Sequence, residues 1–125
     1  MSMNPLDAYQ NVEKATLSGR ELEASVLTKA ALLLLQVKND WGGDGYEERL
    51  NDALRFNQRV WSIFQAEMTS DENPLPTEIK SNILNLSVFV DKRIFEVMAY
   101  PSQEKLDILI NINKNLAAGL LGDQV

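Results

Sequence analysis

The sequence contains neither cysteine nor histidine among its 125 residues. Without cysteine the chain has no disulfide, no thiolate nucleophile and no thiolate metal ligand, which suits a reducing compartment. Without histidine it lacks the side chain that most often acts as a general base or as a transition-metal ligand. These absences leave only carboxylates, lysine, tyrosine or serine for catalysis. They favour a non-enzymatic protein with no cofactor and no metal site.

The sequence also lacks a basic run and a long apolar run. Its 12 basic and 18 acidic side chains give a net charge of −6, and an acidic chain is a poor direct partner for nucleic acid or an anionic membrane. The longest apolar run, "AALLLL" at residues 30–35, is far shorter than the roughly 20 residues that cross a bilayer. No signal-peptide pattern is visible. We therefore expect a soluble, cytoplasmic protein without membrane insertion.

The apolar residues that are present recur with helical spacing almost throughout. Pro5 indicates the first turn of a short helix over residues 4–16. Longer helices are predicted over residues 18–39, 44–68, 77–99 and 102–120, separated by segments rich in glycine or proline. Their predicted N-caps are Ser18 paired with Glu21, Asp44 paired with Glu47, Thr77, and Ser102.

Two segments are also compatible with β-strands. Residues 83–90 and 107–112 are rich in β-branched side chains and partly alternate. Helical spacing on either side and the lack of hairpin turns favour helices instead. The predicted fold is all-α, a single domain over residues 1–125 with about four long helices in an antiparallel bundle plus the short N-terminal helix.

Several polar residues could carry chemistry, and each has a commoner structural explanation. The adjacent acids Glu47 and Glu48 could form a cation site or an acid–base pair, but acids are common at helix N-termini because they favour the positive end of the dipole. Lys29 lies within an apolar helix, where a buried lysine would suggest catalysis. A lysine that extends its charge to water from the helix edge is the simpler interpretation.

The segment "RFNQRVWSIF" at residues 55–64 has more apolar surface than one helix face requires. One helical ridge carries Trp61, Phe64 and Met68, and the adjacent ridge carries Phe56, Val60 and Ile63. The helix predicted over residues 77–99 shows the same doubling, with a second apolar set of Leu84, Val88, Phe95 and Met98 to one side of its main stripe. Such surplus surface indicates a groove for a partner helix, or else a helix buried on two sides by its own bundle. Tryptophan and arginine favour the interface because both are enriched at binding hot spots.

Several motifs occur in an order that resembles the FlaF family of bacterial flagellar biosynthesis regulators. They are "DAYQ" at 7–10, "SGRELEASVL" at 18–27, "LNDALRFNQRVWSIF" at 50–64, "LP" at 75–76, "IKSNILNLSVFV" at 79–90 and "LDILININKNLAAGL" at 106–120. None is a chemical signature alone, but together they span nearly the whole chain.

The resemblance implies a cytoplasmic regulator that binds flagellin as an export chaperone and promotes flagellin synthesis and secretion. It implies flagellin as partner, with an indirect relation to the regulator FlbT. Because the terminal segments of flagellin are amphipathic helices, we predict that they bind a groove on this bundle. The predicted partner-binding residues are Tyr9, Asn57, Arg59, Val60, Trp61, Phe64, Leu109, Ile112 and Asn113. The alternative is a helical regulatory or structural domain that binds another protein or itself.

Overall fold

Four α-helices account for most of the chain that the structure describes. The structure is a computed structural model, and it describes residues 19–122. The helices are α1 (Gly19–Asn39), α2 (Tyr46–Met68), α3 (Thr77–Ala99) and α4 (Lys105–Leu120). The all-α prediction is confirmed for this range, which contains no strand. The predicted N-terminal helix over residues 4–16 lies outside the described residues.

Neighbouring helices run antiparallel. The carbonyl of Lys38, near the end of α1, accepts a hydrogen bond of 2.8 Å from Gln103 Nε2, just before α4. Tyr46 and Leu50 at the start of α2 line the same depression as Val97 and Met98 at the end of α3. Helix α1 packs most extensively on α4 and α2 on α3, whereas α3 and α4 touch least. Helices α1 and α4 are therefore the closest pair, and α2 packs on α3 and on α1 to a similar extent.

The core contains one apolar face from each helix. Its largest fully buried side chains include Trp61 of α2, Ile94 of α3 and Leu106 of α4. On α1 the periodicity predicts a main stripe of Leu22, Val26, Ala30, Leu33 and Val37, which Leu27, Ala31, Leu34 and Leu35 widen. The buried face is Ala24, Leu27, Ala30, Ala31, Leu34 and Val37, so the centre of the predicted stripe is wrong although five of its members are buried. Leu22, Val26 and Leu33 are only half-buried and lie at its edge, because α1 turns its inner face toward α4 as well as α2.

The helix starts differ from the predicted caps. Gly45, not Asp44, is the N-cap of α2, and its φ of 74° is a left-handed conformation that glycine adopts at little cost. Pro76, not Thr77, is the N-cap of α3, and Glu104, not Ser102, is the N-cap of α4. None of these three residues makes a side-chain capping hydrogen bond. Ser18, the cap predicted for α1, lies outside the described residues.

Candidate functional site

A buried polar network joins three helices at the centre of the bundle. The Trp61 indole Nε1–H donates to Asn113 Oδ1 at 2.9 Å, and Asn113 Nδ2 donates to Asn57 Oδ1 at 2.6 Å. Asn57 Nδ2 donates to the carbonyls of Ala53 and Ala30, at 2.8 and 3.2 Å. The network therefore ties α2 to both α4 and α1.

Tryptophan sets the direction of this network, because its indole nitrogen can only donate. The amide oxygen of Asn113 must therefore face Trp61. Its amide nitrogen then faces Asn57, whose own nitrogen is left to face the two carbonyls. The three side chains are at most 1% exposed, and no buried side-chain nitrogen or oxygen within residues 19–122 lacks a partner.

Most of the predicted partner-binding residues belong to this interior. Val60, Phe64 and Leu109 are at most 3% exposed. Ile112 is half-buried, and Arg59 is exposed. Tyr9 lies outside the described residues. In this conformation the tryptophan, the two asparagines and the three buried apolar residues stabilise the domain itself, so their contact with a partner stays a prediction.

A shallow seam runs between α1 and α2 on the outside of the bundle. At one end Leu22 and Val26 of α1 face Ile63 of α2 across a groove of about 160 Å³. At the other end Leu33 of α1 and Phe56 of α2 line a second depression. On α1 these two depressions extend from Leu22 to Val37, which is roughly 22 Å at 1.5 Å per helical residue.

The charged side chains of the seam differ between its ends. Glu23 and Glu67 line the first depression, and Glu23 accepts a hydrogen bond of 2.9 Å from Arg20. The second depression is lined by Lys29, Arg49 and Asp52. The Lys29 ammonium lies 5.3 Å from the centroid of the Phe56 ring, a distance typical of a cation–π contact. The seam is thus apolar along its length, acidic at one end and of mixed charge at the other.

A second apolar surface lies on α3. Leu84 is half-buried, whereas Val88 is 52% and Phe95 is 61% exposed. These are members of the second apolar set predicted for this helix, and they lie outside the core. Isolated exposed apolar residues are common on soluble proteins, but these three, at spacings of four and seven, lie along one side of the helix. Asp91 and Lys92 interrupt this stripe between Val88 and Phe95.

Within residues 19–122 no group of three or more acidic, histidine or cysteine side chains is placed to hold a metal ion. Asp40, at the start of the loop after α1, pairs with Arg49 at 2.7 Å. The same range holds no helix long and apolar enough to cross a membrane.

Comparison with known proteins bears on this helical architecture. The family model for flagellar protein FlaF matches residues 5–120. The chain belongs to the FlaF family. A search of curated proteins returned no match, and neither did a search of solved structures.

The FlaF match includes all four helices and every residue of the network and of the seam. Sequence reasoning grouped Phe56, Val60 and Ile63 on one ridge of this FlaF-family chain, and all three line the seam. It did not identify the opposite wall, because Leu22, Val26 and Leu33 were assigned to the core. The signal was present in Leu27, Ala31 and Leu34, which the periodicity placed beside the main stripe and which are the better-buried residues.

Proposed function

We propose that this FlaF-family protein is a non-enzymatic, cytoplasmic regulator of flagellar biosynthesis that binds flagellin as an export chaperone. By holding flagellin in a soluble form it promotes flagellin synthesis and secretion. Recognition is of the helix-in-groove type, in which an amphipathic helix lays its apolar face on apolar side chains of the bundle. The proposal includes no direct contact with nucleic acid, and any relation to FlbT is indirect.

Family membership supports the flagellar role, and one structural observation supports helix binding. Apolar side chains remain accessible on the outside of the bundle that residues 19–122 form. Ile63 is 48%, Val88 is 52% and Phe95 is 61% exposed, although the core below them is closed. Side chains that the domain does not use for its own packing are available to cover the apolar face of a flagellin helix.

Co-purification with flagellin tests this function. Full-length flagellin and versions lacking either terminal segment are each mixed with the full-length protein and separated by size-exclusion chromatography. We expect a complex with full-length flagellin that is lost when one terminal segment is removed. Lack of a complex with every version would refute the proposal.

The apolar stripe on α3 favours a second candidate, a helical regulatory domain that binds another protein or itself. Self-association through Val88 and Phe95 would bury side chains that are more than half exposed. This candidate predicts a mass by light scattering that rises with protein concentration, together with no flagellin complex. A concentration-independent monomer that binds flagellin would exclude it.

A further inference from the structure

Helix α3 is the least embedded of the four helices. Five of its 23 residues are buried, against eight of the 23 residues of α2. Within residues 19–122 it also carries four exposed large apolar side chains, whereas each of the other helices carries one. Those on α3 are Ile79, Val88, Phe89 and Phe95. Because hydrophobic stabilisation scales with the apolar area removed from water, α3 is held by less burial per residue than α2.

The buried polar network does not include α3. Its side chains, Asn57, Trp61 and Asn113, belong to α2 and α4, and its acceptor on α1 is the carbonyl of Ala30. On α3 the buried hydroxyl of Ser87 donates to a carbonyl of its own helix at 2.6 Å. Movement of α3 away from the bundle therefore breaks no hydrogen bond of the network.

Helix packing is uneven in the same sense. Helices α1 and α4 pack most extensively on each other, whereas the contact of α3 with α4 is the least extensive between neighbouring helices. Polar contacts also fasten the start of α4 to the end of α1. Gln103 donates to the Lys38 carbonyl at 2.8 Å, and the Lys38 ammonium pairs with Asp107. Helices α1, α2 and α4 are thus cross-linked to one another without α3.

Side-chain contacts between α3 and its neighbours lie at partly exposed positions. Gln65 of α2 donates to Asp91 Oδ2 of α3 at 3.0 Å. Lys105 of α4 lies 3.7 Å from the carboxylate of Glu96 and donates to the carbonyl of Tyr100, just past the end of α3, at 2.7 Å. Contacts of this kind add little stability, because water replaces them when they break.

Prolines separate α3 from the helices before and after it. Pro76 precedes its first residue, and Pro101 follows its C-cap. Neither proline has an amide hydrogen to donate, so helical hydrogen bonding does not continue through either position. Helix α3 can therefore change its position as a unit without unwinding α2 or α4.

We propose that α3 is a hinged lid, which opens as one unit about the segments that contain Pro76 and Pro101 while α1, α2 and α4 stay assembled. Opening exposes apolar side chains that the closed bundle hides. On α2 they include Leu50 and Leu54, which line one depression together with Val97 of α3. On α3 itself they are Ile83, Val90, Ile94 and Val97. The lid is a property of the free protein and does not depend on flagellin binding.

Native-state hydrogen exchange of the free, full-length protein, followed by mass spectrometry, tests the lid. After correction for intrinsic rates, amides in the centre of α3 should exchange about tenfold or more faster than the slowest amides of α1 and α4. The reason is that opening α3 costs less free energy than unfolding the whole domain. Equal rates in the three helices would overturn the proposal. Fast exchange confined to the ends of α3 would also overturn it, because that result means fraying.

Substitutions in the lid and in the other three helices give opposite patterns. Ile94→Val trims a side chain of α3 that is 0% exposed and should speed exchange of α3 about two- to tenfold. Asn113→Ala weakens the network, so it should speed exchange of α1 and α4 but leave α3 unchanged. Asn115→Ala is the matched control, because Asn115 is exposed on the same helix, and it should change none of these rates.

A milder variant keeps the test decisive if Asn113→Ala folds poorly. Lys38→Ala removes the partly exposed ion pair between α1 and α4, and it should speed exchange of those two helices by up to about fivefold without changing α3. Acceleration of α3 by the same factor as α1 and α4 in Lys38→Ala would show that all four helices open together. That result would refute the lid, and an unchanged α3 supports it.

Discussion

Replacing Asn113 should destabilise the domain through the partners it leaves behind. Asn113 accepts the indole N–H of Trp61 and donates to the amide oxygen of Asn57. Asn113→Leu preserves the branched shape of the side chain but removes both hydrogen bonds. The indole N–H and the Asn57 oxygen then stay buried without a partner, because Trp61 and Asn57 are each 0% exposed.

The magnitude follows from the number of orphaned groups. A buried donor or acceptor without a partner costs about 1–3 kcal/mol, so two such groups cost about 2–6 kcal/mol. Asn113→Ala removes the same hydrogen bonds but opens space for about one water molecule, which can bridge the indole N–H and the Asn57 oxygen. We therefore expect the leucine variant to be less stable than the alanine variant. A purely hydrophobic account predicts the reverse order, because leucine buries more apolar surface.

Urea unfolding followed by far-ultraviolet circular dichroism measures the free energy of unfolding of each variant. Asn115→Leu is the matched control, because Asn115 is exposed on the same helix. Its stability should stay within about 0.5 kcal/mol of the wild-type value. A double-mutant cycle with Trp61→Phe measures the coupling of the Trp61–Asn113 pair, which should be about 0.5–3 kcal/mol.

Asn113→Leu as stable as the wild-type protein would refute this reasoning. That result would mean that water reaches the indole and Asn57 in the folded state. A zero coupling energy between Trp61 and Asn113 would equally contradict the hydrogen bond of 2.9 Å between them.

Three further predictions concern the loop, the core and the surface. Gly45→Ala should lower the free energy of unfolding by about 1–2 kcal/mol, because φ at this position is 74°. Gly119→Ala should raise the free energy of unfolding by up to about 1 kcal/mol, because the new Cβ enters open space. Equal effects of the two substitutions in urea unfolding would contradict this prediction. Trp61→Ala should lower the free energy of unfolding by about 3–5 kcal/mol. If this variant no longer binds flagellin and its thermal unfolding midpoint has fallen, the loss of binding reports instability. Only a loss of binding with an unchanged midpoint would indicate contact between Trp61 and flagellin. Lys38→Ala should lower the free energy of unfolding by less than about 1 kcal/mol, because the ion pair of Lys38 with Asp107 is partly exposed. A loss of stability that persists at high salt would show that the loss does not come from this ion pair.

Local features of the sequence predicted the helices well. The ends of α1, α2 and α3 at Asn39, Met68 and Ala99 agree with the predicted ends, because glycine and proline interrupt helices for reasons that need no tertiary contact. The β-branched segments at residues 83–90 and 107–112 are helical, as predicted from the helical periodicity of the residues on either side of them. The caps were less predictable, because a backbone turn such as that at Gly45 can start a helix without any side-chain cap.

The candidate site was predicted only in part. Spacing on α2 separated Trp61 and Phe64 from a second ridge of Phe56, Val60 and Ile63. The structure keeps that separation only in part, because Phe56 is half-buried and Ile63 is exposed but Val60 is buried with Trp61 and Phe64. Spacing did not indicate which of the two ridges faces the core. On α1 it placed Leu22, Val26 and Leu33 inside, whereas packing against two neighbouring helices turned them toward the seam.

The sequence by itself determined an acidic, helical FlaF-family chain with more apolar surface than its helices need, because composition, periodicity and motif order are local properties. Only the tertiary structure decided which apolar face is the core, because that depends on how each helix rotates against its neighbours. It also decided that Asn57 and Asn113, 56 positions apart, share one buried hydrogen bond. A buried side-chain amide needs a hydrogen-bond partner, and no local sequence pattern indicates which distant residue the fold supplies as that partner.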